Sequence, residues 1–364
     1  MKYTDEFRNP AVARRLISEI LQLAQRQVTI IEFCGGHTHA IMRYGLRTAL
    51  APAVRLLSGP GCPVCVTSDA DIDAAIALAQ QPGVILATFG DMLRVPGSHG
   101  SLQQARAAGA HIQMVYSALD ALELARQQPK QIVVMLGVGF ETTAPTIAAA
   151  LDQAQQEKLT NFAVFSLHKL TPPPMRAILA SEVHVDAVLG PGHVSAIIGW
   201  QAWEFMPHDF GVSCATAGFE PVDILQAIRS LVQAVQQDRP QVINDYRRGV
   251  SAGGNRVAQA LLAKVFTVSQ ADWRGLGVIA ASGLEISPAY AQHDARMRFE
   301  IQPNLAAPPH ERGCRCGDVL RAIIEPPQCT LFAKACTPER PLGPCMVSAE
   351  GSCAAFYRYG GEPI

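Results

Sequence analysis

The chain has 364 residues, 49% of them apolar and 17% charged, with a net charge of -1. That composition suits two or three globular domains, each with its own core, and the near-neutral charge with no basic run leaves no footprint for nucleic acid. The opening MKYTDEFRNP lacks the apolar stretch of a secretory signal, and no apolar run is long enough to span a membrane, so a cytoplasmic protein that meets neither membrane nor nucleic acid is expected.

Taken in chain order, a helical stretch near Ala11–Arg26 leads into the apolar run VTIIEF and the loop CGGHTH, Cys34 to His39. Two glycines after a cysteine allow a tight turn and close backbone approach to a ligand. Cys34, His37 and His39 offer a thiolate and two imidazoles, a transition-metal set, and a turn that opens a helix is expected to lower the thiol's pKa. The plain alternative is a buried cysteine beside a packing histidine. VRLLS then leads into GPGCPVC, whose Cys62 and Cys65 have the C-x-x-C spacing of dithiol–disulfide exchange, or of half a metal site.

The same grammar of apolar run, glycine-rich turn and helix repeats from Val84, Gln131, Phe162, Ala187 and Phe210. Continuous β-branched runs alternating with helices indicate parallel sheets covered on both faces, in which the loops after the strands' carboxyl ends gather around one crevice. Glu141 in GVGFETTAP, His168 in SLHKL and His193 in GPGHVSAIIG all fall in such loops and, with His39, are candidates to line it. GVGFETTAP lacks the Gly-Lys-Ser/Thr ending of a phosphate loop. Cys214 in GVSCATAG reads as a small packed residue, and WRGLG and ASGLEI as core and turn. The expected division is an α/β unit over 28–125 with the CGGHTH and GPGCPVC loops, a second over 126–220, and a third module of 1–27 with 221–364.

From Pro303 the texture changes to Cys, Pro and Gly. PHERGCRCG opens this stretch with charges expected to solvate its surface. Six cysteines follow within forty residues: Cys314, Cys316, Cys329, Cys336, Cys345 and Cys353. Ten cysteines in a chain without a leader point to metal or thiol chemistry rather than a disulfide scaffold. Four thiolates suit a 4Fe-4S cluster. A structural zinc site is the competing reading, and the spacing alone does not choose the four ligands.

CGGHTH, SGPGCPVC, GVGFETTAPT, LGPGHVSAIIG and the ending ERGCRCG…CTLFAKACTPERPLGPCMVSAEGSC together resemble the HypD family of nickel–iron hydrogenase maturation proteins, from about Glu32 to Cys353. The resemblance implies two Rossmann-like parallel-sheet domains and a small cysteine-rich iron–sulfur domain. The family's C-x14-C-x6-C-x16-C spacing falls here on Cys314, Cys329, Cys336 and Cys353 as 4Fe-4S ligands, leaving Cys316 and Cys345 as a redox pair. It implies a scaffold, shared with the small chaperone HypC, on which iron receives two cyanides and one carbon monoxide, Cys34 binding that iron and His37 beside it. HypE would deliver cyanide made from carbamoyl phosphate by HypF, and the Fe(CN)2CO unit would pass through HypC to the hydrogenase large-subunit precursor. Cyanide arriving as a thiocyanate must be freed reductively, which gives the cluster and Cys62–Cys65 a shared purpose. The alternative functions are a cluster-dependent thiol–disulfide reductase, which leaves CGGHTH without a task, and a zinc-bearing binding module. The chain is thus expected to be an assembly scaffold with redox activity.

Overall fold

The computed structural model describes residues 4–301 and 313–360. Short runs of Val, Ile, Leu and Phe bounded by Gly, Pro or polar turns form the strands. In chain order these are β1 (Val28–Glu32), β2 (Val54–Ser58), β3 (Val84–Thr88), β4 (Ile112–Met114), β5 (Ile132–Gly137), β6 (Phe162–Ser166), β7 (Ala187–Pro191), β8 (Ser213–Ala217), β9 (Val242–Asn244), β10 (Phe266–Trp273) and β11 (Gly277–Ile286). One parallel sheet has the order β2-β1-β7-β8-β9 and the other β4-β3-β5-β6, while β10 and β11 pair as an antiparallel hairpin. The expected α/β class with two Rossmann-like parallel sheets and a cysteine-rich C-terminal region is what forms.

The expected division at 125/126 does not follow the sheets. Strand β1 pairs with β2 and with β7, so β1 and β2 share a sheet with β7–β9 and not with β3 and β4, which lie between them in the chain. The helices assigned to the third module also belong elsewhere. Pro10–Leu23 and Pro221–Gln236 are amphipathic and lay Leu16, Ile20, Leu225 and Ile228 on one face of the first sheet, against Ile30 and Leu56. Because successive strand residues face opposite ways, Ile31 and Leu57 point to the other face. There they share a core with Trp203, Trp273 and five cysteines, Cys62, Cys65, Cys214, Cys316 and Cys345. That core joins the first sheet to the C-terminal region. The second sheet has its own two layers, with the β10–β11 hairpin closing one of them through Phe266, Leu284 and Ile286.

After residue 313 the chain forms short helices at Cys316–Leu320 and Ser352–Tyr359 joined by turns. Phe356 of the last helix packs on Met42 of the helix Gly35–Arg43, with Arg47 over its ring at 4.8 Å. Residues 309–312 of PHERGCRCG lie outside the described residues. Among the described residues no helix is long and apolar enough to cross a membrane.

Candidate functional site

The strand order of the first sheet places β1 between β2 and β7, so the loops leaving β1 and β7 diverge and open a crevice at their carboxyl ends. CGGHTH leaves β1, GPGCPVC leaves β2, and GHVSAII leaves β7. The first two loops are stitched together. Gly59 N–H donates to Glu32 O (2.8 Å) and Gly35 N–H to Gly61 O (3.0 Å). A Cβ on Gly61 would stand 2.2 Å from Cys34 N, so only glycine permits this approach.

Cys34 is the N-cap of the helix Gly35–Arg43. Its N–H donates to Glu32 Oε2 (2.8 Å), and Thr38 Oγ1 donates to the other oxygen of the same buried carboxyl. Burial pushes Glu32 up to about 7. Cys34 departs from expectation: burial first, then the Glu350 and Glu32 carboxylates, push its thiol up to about 12. The helix N-terminus does not offset desolvation beside two acids.

His37 is buried and drives the ring inward. Its Nε2 lies 3.0 Å from Gly218 O, which can only accept, so Nε2 carries the proton. Nδ1 is left with a free lone pair and no partner among the described residues. Burial holds this imidazole neutral, down to about 4. Phe219, just past β8, stacks on His37 at 4.7 Å and on His193 at 3.9 Å. A Cβ on Gly36 would meet Phe219 Cδ1 at 3.0 Å and Cys34 Sγ at 3.7 Å, so the sulfur and the ring border one small space.

His39 does not join this group. Two residues along a helix is more than half a turn, so its ring faces the C-terminal region, 3.3 Å from Ala349 O and edge-on to Tyr359. The three-residue metal set expected from CGGHTH therefore reduces to Cys34 and His37. Glu141 and His168 do not line this crevice either. Glu141 is buried and accepts from Thr171 N–H at 2.8 Å, capping the helix Pro172–Leu179. His168 is buried 3.0 Å from Ser166 Oγ and edge-on to Phe266 of the hairpin. Of the expected crevice residues, His193 alone comes to the Cys34 side. Cys214 is packed in the core on β8, as expected.

The remaining cysteines converge. Cys62 caps the one-turn helix Pro63–Val66 through its Sγ, 3.4 Å from Cys65 N, and is hydrogen-bonded by Ser348. Cys65 Sγ lies 3.9 Å from the carbonyl of Pro344, the residue before Cys345, and shares one buried cluster with Cys62, Cys316 and Cys345. Cys345 Sγ lies 2.8 Å from Cys316 Sγ. Cys314, Cys316, Cys329, Cys336, Cys345 and Cys353 all line one pocket. Cys316, Cys336 and Cys345 are its buried members, whereas Cys314, Cys329 and Cys353 are partly exposed. The N–H of Leu342 donates to Cys336 Sγ at 3.3 Å, and Gly343 leaves room for Cys314, whose Sγ a Cβ would meet at 2.6 Å. Converging soft thiols with amide donors on sulfur fit an iron–sulfur cluster. Among the described residues no three His, Cys, Asp or Glu side chains close on a point that a single ion would fill.

Sequence reasoning passed over Glu32, Phe219, Ser348 and Glu350. Glu32 carried a signal, a carboxylate ending an otherwise apolar strand. The others lie far away in sequence and carried none.

The family model described as "Hydrogenase formation hypA family", HypD, matches residues 11–360. The chain is similar to the hydrogenase maturation factor HypD of Rhodobacter capsulatus, 48% identical over 372 residues and covering 99% of each chain. It is 47% identical to the factor of the same name from Azotobacter vinelandii, over 99% of this chain and 97% of that one. With that of Escherichia coli it shares 44% identity, over 99% and 98%.

Proposed function

The chain belongs to the HypD family of hydrogenase maturation factors, and from that premise we propose that it is a scaffold for building the Fe(CN)2CO unit of a nickel–iron active site, shared with a HypC-type partner. Cys34 supplies the thiolate that holds the iron, which is cargo rather than a resident cofactor. A cation brought to the buried thiol displaces its proton, and the His37 Nδ1 lone pair is free to accept it or to orient a ligand. Phe219 gives the site an apolar wall suited to diatomic ligands.

Cys314, Cys329, Cys336 and Cys353 would hold a 4Fe-4S cluster, and bound there it would supply electrons one at a time. The chain's own thiols carry out the two-electron chemistry. One thiolate of the Cys62–Cys65 pair attacks the sulfur of a thiocyanate on the cyanide donor, of the HypE type, and expels cyanide toward the iron. The mixed disulfide is resolved by the other cysteine of the pair. The donor's thiol is released and Cys62–Cys65 is left as a disulfide, so one S–CN bond is reduced and one dithiol oxidised.

The observation that supports this reading is the buried cluster in which Cys62 and Cys65, on a loop hydrogen-bonded to the Cys34 turn, meet Cys316 and Cys345 of the C-terminal pocket. A thiol–disulfide reductase alone would leave Cys34, Glu32 and His37 unexplained. Co-expression with a HypC-type partner should yield a complex whose infrared spectrum carries CN and CO bands, and Cys34→Ala should abolish them. CN bands of full intensity in a Cys62→Ala/Cys65→Ala variant would refute the relay.

A further inference from the structure

Arg274 stands at the tip of the β10–β11 hairpin, an element to which the chemistry above gives no part. Its backbone N–H donates to Val66 O (2.9 Å), its Nε to Thr67 O (2.8 Å) and its Nη2 to Pro96 O (3.2 Å). Nη1 pairs with Asp69 at 2.5 Å, and the arginine side chain is only 14% exposed. Trp273 and Thr67 form an isolated antiparallel bridge beside it. On the other side, Gly275 presses on Gly317, the residue after Cys316, so closely that a Cβ would lie 2.4 Å from the Gly317 Cα. Arg274, Gly275, Cys316 and Gly317 line one cavity. The hairpin thus wedges a half-desolvated cation between the C-x-x-C helix and the helix that carries Cys316.

We propose that Arg274 is a positioning residue for disulfide exchange between the two thiol pairs, its charge stabilising Cys65 as the departing thiolate. The inference rests on the relay reading above. In the exchange the Cys345 thiolate attacks Sγ of Cys65 in the Cys62–Cys65 disulfide. The Cys345–Cys65 bond forms and Cys62 leaves as a thiolate. Cys316 then attacks Sγ of Cys345; the Cys316–Cys345 bond forms and Cys65 leaves as a thiolate. Two electrons pass, one disulfide is consumed and one made. Of the two protons lost from Cys316 and Cys345, one goes to Cys62 and one to solvent. A leaving thiol of lower pKa departs faster, and a nearby guanidinium in a poorly solvated site favours the thiolate.

Several groups face Cys65 from the elements packed on it. Cys62 lies on its own helix, Cys345 on the turn from Pro344, Arg274 on the hairpin, Asp91 on the turn after β3 and Glu350 on the turn before the last helix. Burial raises the Cys65 thiol, the Cys345 and Cys62 hydrogen bonds and the Arg274 charge lower it, and Asp91 opposes them; the net direction is downward. Asp69 partly neutralises Arg274, which gives the proposal a second handle of opposite sign.

The test uses the full chain, purified anaerobically with its cluster and equilibrated in dithiothreitol redox buffers at neutral pH. After acid quenching, mass spectrometry measures the Cys62–Cys65 disulfide. Arg274→Gln should shift the couple toward disulfide by about tenfold in equilibrium constant, about 30 mV. Arg274→Lys keeps the charge but loses the hydrogen-bonding fork, and should stay within about threefold of the parent. Asp69→Asn should move the couple the other way. A lysine variant displaced as far as the glutamine one would make Arg274 a mechanical clamp and overturn the proposal, as would an unmoved glutamine variant. Should Arg274→Gln fail to fold, judged by thermal unfolding and cluster absorbance, Asp69→Asn decides alone: no shift, or one toward disulfide, refutes the electrostatic role. Because these readings need no partner, they fail independently of the infrared test of the scaffold.

Discussion

The two parallel sheets share one architecture, yet their carboxyl ends are finished differently. Both carry glycine-rich loops with acids and histidines. At the second sheet each of these side chains has an atom bound by structure, although Glu141 Oε2 and His168 Nε2 have no partner among the described residues. Glu141 caps a helix, His168 is bonded to Ser166 under the hairpin, and the buried Lys169 Nζ reaches Asp272 O and Asp71. At the first sheet the hairpin contributes Trp273 to the core under Ile31. The His37 lone pair is left without a partner among the described residues, Glu32 is held against Cys34 N, and a small space remains at Gly36. The same residue types therefore pack under the hairpin at one edge and border the Gly36 space at the other. The difference is which edge a third element closes.

Substitutions can break or sharpen that contrast. The largest expected effect is Cys34→Ala, with complete loss of the CN and CO bands and unfolding unchanged; His168→Asn should keep the bands. Loss of the bands in the histidine variant, in a folded protein, would erase the distinction between the two edges.

Glu141 gives a stability signature. Burial raises its carboxyl to about 7 in the folded chain, from 4.5. A raised acid binds more protons folded than unfolded, so stability is lost as pH rises from about 4.5 to about 7. The loss is on the order of 3 kcal/mol. Glu141→Gln should remove that slope while its amide oxygen still accepts from Thr171, which denaturant titrations at pH 5 and 8 would show. Parallel pH profiles for the two proteins would count against it.

Two glycines sharpen the point further. Gly139, at φ +155°, would place a Cβ 2.4 Å from Thr143 Cβ. Gly139→Ala should cost about 2–4 kcal/mol of stability with iron assembly intact in the protein that folds. Gly36→Ala should do the reverse. The Phe219 ring has to give by a few tenths of an ångström, so Tm should move by no more than about 2 °C, while iron-bearing complex falls about tenfold. Equal effects on stability from both alanines would show that the Gly36 space is mere packing.

Much of this was legible in the chain. Apolar runs bounded by Gly and Pro marked most of the strands because short β-branched segments buried on both faces leave no other pattern. CGGHTH and GPGCPVC were legible as sites because chemistry-bearing side chains crowd a glycine turn there. The hairpin was not read as such: WRGLG gave its turn, but its strands pack one face only and lack a continuous apolar run. The sheet membership of β1 and β2 was not legible for a related reason. Strand pairing is set by which faces bury together, and β1–β2 bury theirs against β7 and β8, more than a hundred residues away.

The sequence by itself determined the fold class, the family and the inventory of thiols, since these depend on residue type and local spacing. Only the tertiary structure decided how the thiols connect. It turned His39 away from Cys34 because the helix advances a hundred degrees per residue. It raised the Cys34 thiol because two carboxylates and burial outweigh one helix terminus. It set Cys345 between Cys65 and Cys316, and placed Arg274 beside them. Contacts between residues 65, 274 and 345 follow from how sheets, hairpin and C-terminal turns pack, and no local rule encodes that packing.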